Sequence, residues 1–343
     1  MLCVGCRMTP DAFTHRQTAH CETGAISSLL THAGLELSEP MALGISGALM
    51  FAYIPLIKLG GLPLIAYRSP PGSVIRGVTR RLGVRMHYQR FRDPETGMAE
   101  LVAQVDSGRP VGLQTSVYWL PYFPDALRFH FNAHNIVAYG RDDSEFLISD
   151  PTLEEPVRAD YDSLRKARFV KGVLAPKGLL YFPTEIPDRI KVRDAIRKAI
   201  RKTTSLMLFS PFPVIGIRGI RFVGRKILRF EKTHAEDEDL NKLFIGHMVR
   251  MQEEIGTGGA GFRFLYASFL QEAAALTDNP ALEDVSRMFT DTGDEWRRFA
   301  LFSAKMVKGR MPLDYSRLAR QLMHVADLEA DAHRRLRVAL KGG

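Results

Sequence analysis

The sequence predicts an α+β domain followed by an all-helical one. Strand-like runs are confined to the first 183 residues, and the Pro-bounded stretch 183–187 has the composition of a linker. Beyond it, apolar residues recur at helical spacing with little interruption. A chain of 343 residues can bury two cores of useful size. We therefore expect a poorly ordered leader at 1–12, an α+β domain at 13–183 and a helical domain at 188–343.

The elements follow in order. Residues 21–34 predict a helix, because Ile26, Leu29, Leu30 and Ala33 share a face and Gly34 stops it. Ser38-Glu39-Pro40 is a helix start, with proline tolerated in the first turn. The uncharged run 41–57 approaches membrane-spanning length, but Gly44, Gly47 and Pro55 make a buried core helix the better expectation. A strand at 62–67, a helix at 73–82, an extended piece at 84–88 and a helix at 97–107 come next. Gly108-Arg109-Pro110 ends that helix.

The period then changes to two. Residues 111–117 predict a strand, and 130–139 another, with His130, Asn132, His134, Ile136 and Ala138 on one face. A turn cluster at 140–144 leads to a return strand at 145–149, and a last strand falls at 178–182. Helices are expected at 189–202, 235–255, 261–276, 280–290, 293–308 and 313–340.

Composition narrows the function. Hydrophobic content of 45% and charged content of 25% are ordinary for a globular protein. A net charge of +9 and a pI near 9.5 suit an acidic partner. The basic stretches 189–202 and 218–232 carry few aromatics and match no nucleic-acid module, so no nucleic acid is expected. Cys3, Cys6 and Cys21 give no disulfide framework and fit a reducing compartment. Cys3 and Cys6 lack a second Cys or His pair, so no metal is expected there. The first residues lack the pattern of a secretory signal, and a cytoplasmic protein is expected.

The chemistry centres on Cys21. It opens the helix expected at 21–34, where the helix dipole favours a thiolate. His134 lies on the strand 130–139, and Asp150 follows the return strand. A hairpin folded symmetrically about Asp142 would set position 134 opposite position 150, within side-chain reach. A slip of one residue would turn one of them to the other face. Cys21 as nucleophile, His134 as base and Asp150 as its orienting carboxylate form a cysteine catalytic set. Asn132, Asn135, Asp142 and Asp143 are weaker candidates for the third position. The Cys21 amide and the Gln17 side chain are candidate oxyanion donors, with Gln114 behind them; His20 is a supporting neighbour. The glycine-rich run 256–261 opens a helix whose amides could hold a phosphate, which points to Gly258 and Gly259. Phe262, Leu265, Tyr266, Phe269 and Leu270 fall at core spacing.

These residues also carry a resemblance. Phe13-Thr14-His15, His20-Cys21-Glu22-Thr23, Leu37-Ser38-Glu39 and Gly44, then Tyr118-Trp119-Leu120-Pro121-Tyr122, His130, His134 and Tyr139-Gly140, resemble the N-terminal domain of the BtrH family of butirosin biosynthesis. Gly256-Thr257-Gly258-Gly259, Phe262-Arg263-Phe264-Leu265-Tyr266 and Phe269-Leu270 resemble the companion C-terminal domain of that family. The resemblance implies a papain-like, C39-peptidase-like first domain. It also implies acyl transfer from the phosphopantetheine thioester of an acyl carrier protein to an amine of an aminoglycoside; for this chain the expected acceptor is an amine or hydroxyl of a small-molecule or lipid-like compound. By that likeness Cys21 would take the acyl group, His134 would act as base and then acid, and Asp150 would orient His134. Tyr118, His130, Gly258, Gly259, Arg263 and Tyr266 would meet substrate or the pantetheine arm. No cofactor would be bound directly, since the carrier supplies the pantetheine. A homo-oligomer is compatible with so helical a second domain. The alternatives are a cysteine peptidase or amidase with the same three residues, and a non-catalytic binding module on the same fold.

Overall fold

The computed structural model describes residues 13–59, 61–142, 144–233, 238–255 and 258–341. The expected leader at 1–12, with Cys3 and Cys6, lies outside the described residues. Cα packing divides the chain into two compact units, 13–42 with 74–191 and 43–73 with 192–341.

In chain order the elements are α1 (Cys21–His32), α2 (Glu39–Ser46), β1 (Leu49–Leu59), β2 (Leu62–Arg68), α3 (Ser73–Leu82), β3 (Arg85–Gln89), α4 (Pro94–Asp106), β4 (Val111–Thr115), β5 (His134–Arg141), β6 (Glu145–Ser149), β7 (Val157–Asp160), α5 (Tyr161–Phe169) and β8 (Leu180–Glu185). Six helices follow: α6 (Val192–Phe209), α7 (Gly216–Thr233), α8 (Glu238–Glu253), α9 (Arg263–Thr277), α10 (Ala281–Val307) and α11 (Tyr315–Ala339).

The first unit is built on a six-stranded antiparallel sheet of order β3-β8-β4-β5-β6-β7. Met98 and Leu101 of α4 and Leu164 and Ala167 of α5 pack on Leu113, Ile136, Ile148 and Leu180 of the sheet, all fully buried. Helix α1 packs against β5, β4 and β8. It is buried from Cys21 to Leu30, not along one face as its spacing predicts. Small residues permit this enclosure. A Cβ on Gly24 would lie 2.0 Å from Thr18 Oγ1 and 2.5 Å from Pro151 Cβ, so only glycine lets the helix approach the chain that follows β6.

The second unit joins the β1–β2 hairpin to α6–α11. Its core is aromatic, with Trp296, Phe51, Phe262, Phe269, Phe289 and Phe299 fully buried. The buried helix expected over 41–57 is corrected: α2 stops at Ser46, Gly47 has φ +59°, and Leu49–Leu59 is a strand. The run beyond Gly47 pairs with β2 and carries Phe51, Tyr53 and Ile54, residues that suit a pleated surface. Hence 43–73 belongs with the helices, and a single cut near 183–188 does not describe the packing.

Three further differences have visible causes. Helix α7, whose apolar period is masked by the charge of 218–232, buries Ile217, Ile220, Val223, Ile227 and Phe230 at regular helical spacing. The two helices expected at 280–290 and 293–308 are one, α10. Gly293 serves there as a contact site, since a Cβ would lie 2.7 Å from the Phe264 ring. Strand β7 and helix α5 have no counterpart among the expected elements; Asp160 caps α5 by accepting from Ser163 N at 2.9 Å.

Candidate active site

The segment before α1 is fixed to the end of β6. His15 accepts from Ser149 Oγ at 2.7 Å through Nδ1 and donates to Leu153 O at 3.1 Å through Nε2. Thr18 N donates to Pro151 O at 2.7 Å. Glu39 gathers the turn from the other side, accepting from Ala19 N at 2.9 Å, His20 N at 2.8 Å and Thr23 Oγ1 at 2.8 Å. His20, fully buried, is the N-cap of α1, and its Nδ1 accepts from Thr23 N at 3.3 Å. Its supporting role is thus to start the helix. Cys21 is the first residue of α1, so its amide has no carbonyl one turn behind it to bond. Glu22 Oε1 accepts from Val74 N and Ile75 N at 2.9 and 3.2 Å, tying α1 to the start of α3.

His134 begins β5, and its Nε2 donates to Asp150 Oδ2 at 2.6 Å. This leaves Nδ1 as the nitrogen available to the Cys21 side chain, with which His134 shares a hydrogen bond. Burial disfavours the imidazolium, but the charges of Asp150 and Cys21, with hydrogen bonds to both, prevail and push His134 up to about 10. Asp150 is fully buried. Desolvation would raise its carboxyl, yet the His134 charge, the bond to His134 and the Thr152 donors hold it below its usual value. Both of its oxygens are doubly satisfied. Oδ2 also accepts from Tyr122 OH at 3.0 Å, and Oδ1 accepts from Thr152 N and Oγ1 at 3.0 and 2.8 Å. The Phe123 ring stands edge-on to His134 at 5.8 Å. Cys21 and His134 are both buried, at 4% and 5% exposure.

The register behind this contact is not the symmetric one. Val137 pairs with Ser149 and Ala138 with Ile148, which sets position 136, not 134, opposite Asp150. Near the tip Arg141 pairs with Phe146 and Gly140 with Leu147. Continued unbroken, that register would set position 137 opposite 150 and put His134 and Asp150 on different faces. The irregularity between Ala138 and Gly140 adds one residue, Tyr139, and restores the parity. His134 and Asp150 are therefore diagonal neighbours on one face, within reach of long side chains. The Tyr139 ring stacks on Phe13 at 5.3 Å, which anchors the irregularity.

Other expected site residues separate from this group. Gln17 is exposed, and the contacts of its segment are made by His15 and Thr18. Gln114 spends its amide on Asn132 O and Leu174 O. Asn132 donates to Val173 O, and Asn135 accepts from Tyr181 OH at 3.0 Å. Asp142 closes the hairpin turn. Tyr118 and His130 stack on each other at 4.1 Å at the surface. His130 and Asn132 precede β5 instead of lying in it.

The expected pantetheine contacts in the second unit are corrected. Arg263 is fully buried, donating to Glu329 Oε1 and Gly261 O, each at 2.6 Å. Tyr266 is buried among Phe269 and Phe289. Gly258 to Phe262 all have positive φ, and the Ala260 amide is held by Glu253 at 3.2 Å. A Cβ on Gly259 would lie 2.8 Å from Arg297 Nη2. The glycines thus form a left-handed turn that delivers Arg263 to the core.

Sequence reasoning missed Tyr122, Phe123, Thr152 and Glu39 as site residues. Thr152 had a local signal, since an Asp two residues before a Thr is a turn pattern. Tyr122 had none of its own.

The model described as a domain of unknown function, DUF4872, matches residues 162–336. The chain belongs to this family. The model described as butirosin biosynthesis protein H, N-terminal, matches residues 20–151, a span that opens one residue before Cys21 and closes one residue after Asp150. This DUF4872 chain is therefore BtrH-like, as its motifs imply, and the match supports an enzyme with a cysteine-type mechanism. The DUF4872 match opens inside α5, so it includes β8 of the first unit as well as the helices. No curated protein matches the chain. Among solved structures, a C39-like peptidase from Bacillus anthracis aligns at 16% identity and a TM-score of 0.35, covering 52% of this chain and 96% of that one.

Proposed function

We propose that the chain is a cysteine acyltransferase that takes an acyl group from a carrier-bound thioester and passes it to an amine or hydroxyl. The hydrogen-bonded series Cys21–His134–Asp150 carries this reading. His134 takes the Cys21 proton, which leaves the sulfur as the nucleophile. It attacks the thioester carbonyl, forming a new S–C bond, and the pantetheine sulfur leaves with the His134 proton. The acceptor then attacks the acyl-Cys21, His134 removes its proton, and Cys21 departs as thiolate. The Cys21 amide is the natural donor to the intermediate oxyanion. Asp150 holds the imidazole, and Tyr122 holds Asp150. In this scheme no cofactor is bound directly, and the pantetheine belongs to the carrier.

Mass spectrometry of the intact protein after mixing with acyl-loaded carrier tests the reading. The expected result is an acyl adduct on Cys21, discharged by an amine acceptor and absent in Cys21→Ala. A Cys21→Ala variant with full activity would overturn it. Preferential discharge to water, with peptide or amide substrates cleaved faster than thioesters, would replace it by an amidase or peptidase using the same residues.

A further inference from the structure

All of the excess positive charge lies in one stretch of the chain. Residues 192–233 contain eleven Lys and Arg against Asp194 and Glu231, a balance of +9, which is the net charge of the whole protein. Everywhere else 36 basic residues meet 36 acidic ones. The stretch folds as α6, a turn and α7. Both helices bury an apolar face and point cations outward, among them Lys198, Arg201 and Lys202 on α6 and Arg218, Arg225 and Arg229 on α7. Arg193 and Arg221 are neutralised by Asp278 and Asp327. Lys226 is held below its ordinary value by burial and by the nearby cations Arg229 and Lys58, so the positive field extends to the β1–β2 hairpin.

Large apolar side chains are exposed in the turn between the two helices and on the hairpin to which that turn is bonded. Phe209 and Phe212, in the turn between the helices, are 57% and 60% exposed, and Leu56 near the hairpin tip is 92% exposed. The turn is fixed, not loose: Tyr53 N donates to Val214 O at 2.9 Å, and Ala52 bridges to Ile215. Rigidly presented apolar tips beside a broad cationic face match a surface that is anionic outside and apolar beneath. No helix among the described residues is long and apolar enough to cross a membrane, so such an association is peripheral.

We infer that the α6–α7 face of the helical unit docks on an anionic lipid bilayer, its cations meeting headgroup phosphates while Phe212 and Leu56 enter the interface. A broad bilayer answers a charge spread along two 18-residue helices, each about 27 Å long. An acidic protein partner is the competing outcome.

Co-sedimentation of the full chain with vesicles tests this, comparing phosphatidylcholine alone with phosphatidylcholine containing about 30% phosphatidylserine, a lipid that supplies the anionic surface. Binding is expected to the mixed vesicles only and to weaken with salt. Lys198→Gln/Arg201→Gln/Arg225→Gln should lower partitioning on the order of 100-fold, at about fivefold per cation. Phe212→Ser should lower it about tenfold. Circular dichroism and thermal melts check that both variants fold, and Arg225→Gln alone serves if the triple variant does not. Equal sedimentation with neutral and mixed vesicles, or unchanged binding by the variants, overturns the inference. So does absence of vesicle binding when the triple variant has lost affinity for an acidic acyl carrier protein.

Discussion

Each unit of this protein buries a charge cluster, and the two are built alike. In the first, His134 and Asp150 pair at 2.6 Å, with Tyr122 and Thr152 completing the carboxylate. In the second, Glu329 accepts from Arg263 at 2.6 Å and from Trp296 Nε1 at 2.9 Å, and His333 lies 3.5 Å away. Desolvation disfavours the Glu329 carboxylate, but the Arg263 charge and the bond and charge of His333 bring it down to about 2. The difference lies in the neighbours. Beside His134 stands a thiol, and both keep a few per cent of exposure; Arg263, Glu329 and His333 have none. Burial and a displaced pKa mark a strained electrostatic site, but only a nucleophile beside the base makes it a chemical one. The first cluster is expected to govern rate, and the second stability.

The largest effect should come from removing the thiol. Cys21→Ala is expected to lower acyl transfer by about 10³-fold or more, with little change in the unfolding midpoint. Deleting Tyr139 should act nearly as strongly, since parity along β5 then turns His134 away from Asp150. Loss of transfer with the far-ultraviolet spectrum kept is the expected result, and retained activity would dismiss the register account.

Glu329→Gln reverses the pattern. It leaves Arg263 as a buried cation without its counter-charge, and denaturant titration should show a loss of about 3–5 kcal/mol. The chemistry of Cys21, tested by alkylation in the folded protein, should stay near wild type. Tyr122→Phe is smaller. It removes one hydrogen bond to Asp150 and should lower the turnover rate roughly tenfold. Stability loss without a rate effect would make Tyr122 a packing residue.

Acidity gives the finest comparison. Glu329 and Asp150 both have folded values below their ordinary ones, so their contributions are present above about pH 4.5 and fade as pH falls. His134 has a folded value near 10 against 6.5 unfolded, so its contribution is full below pH 6.5 and is lost as pH rises through 10. Alkaline destabilisation should therefore trace to the first cluster. NMR titration of the His134 imidazole should show a downward shift in Cys21→Ala and a larger one in Asp150→Asn, following the order of the two charges.

Much of this was legible in the chain itself. Apolar periodicity marked α1, α3, α4 and α11, and chemistry-bearing residue types marked Cys21, His134 and Asp150. Where local pattern and packing agree, the sequence is enough. It misled at 41–57, where an apolar run fits a helix or a strand equally and only the partner β2 decides. It misled again at Arg263 and Tyr266, whose motif suggested contact with substrate although the left-handed turn at 258–262 sends them into the core.

The sequence by itself determined which groups could do the chemistry and that strands give way to helices, because residue type and spacing are local properties. Only the tertiary structure decided that His134 and Asp150 share a face and that 43–73 joins the helices. It alone also brings Tyr122 to Asp150. Each of these depends on a pairing register or a close approach between distant segments, which local spacing does not encode.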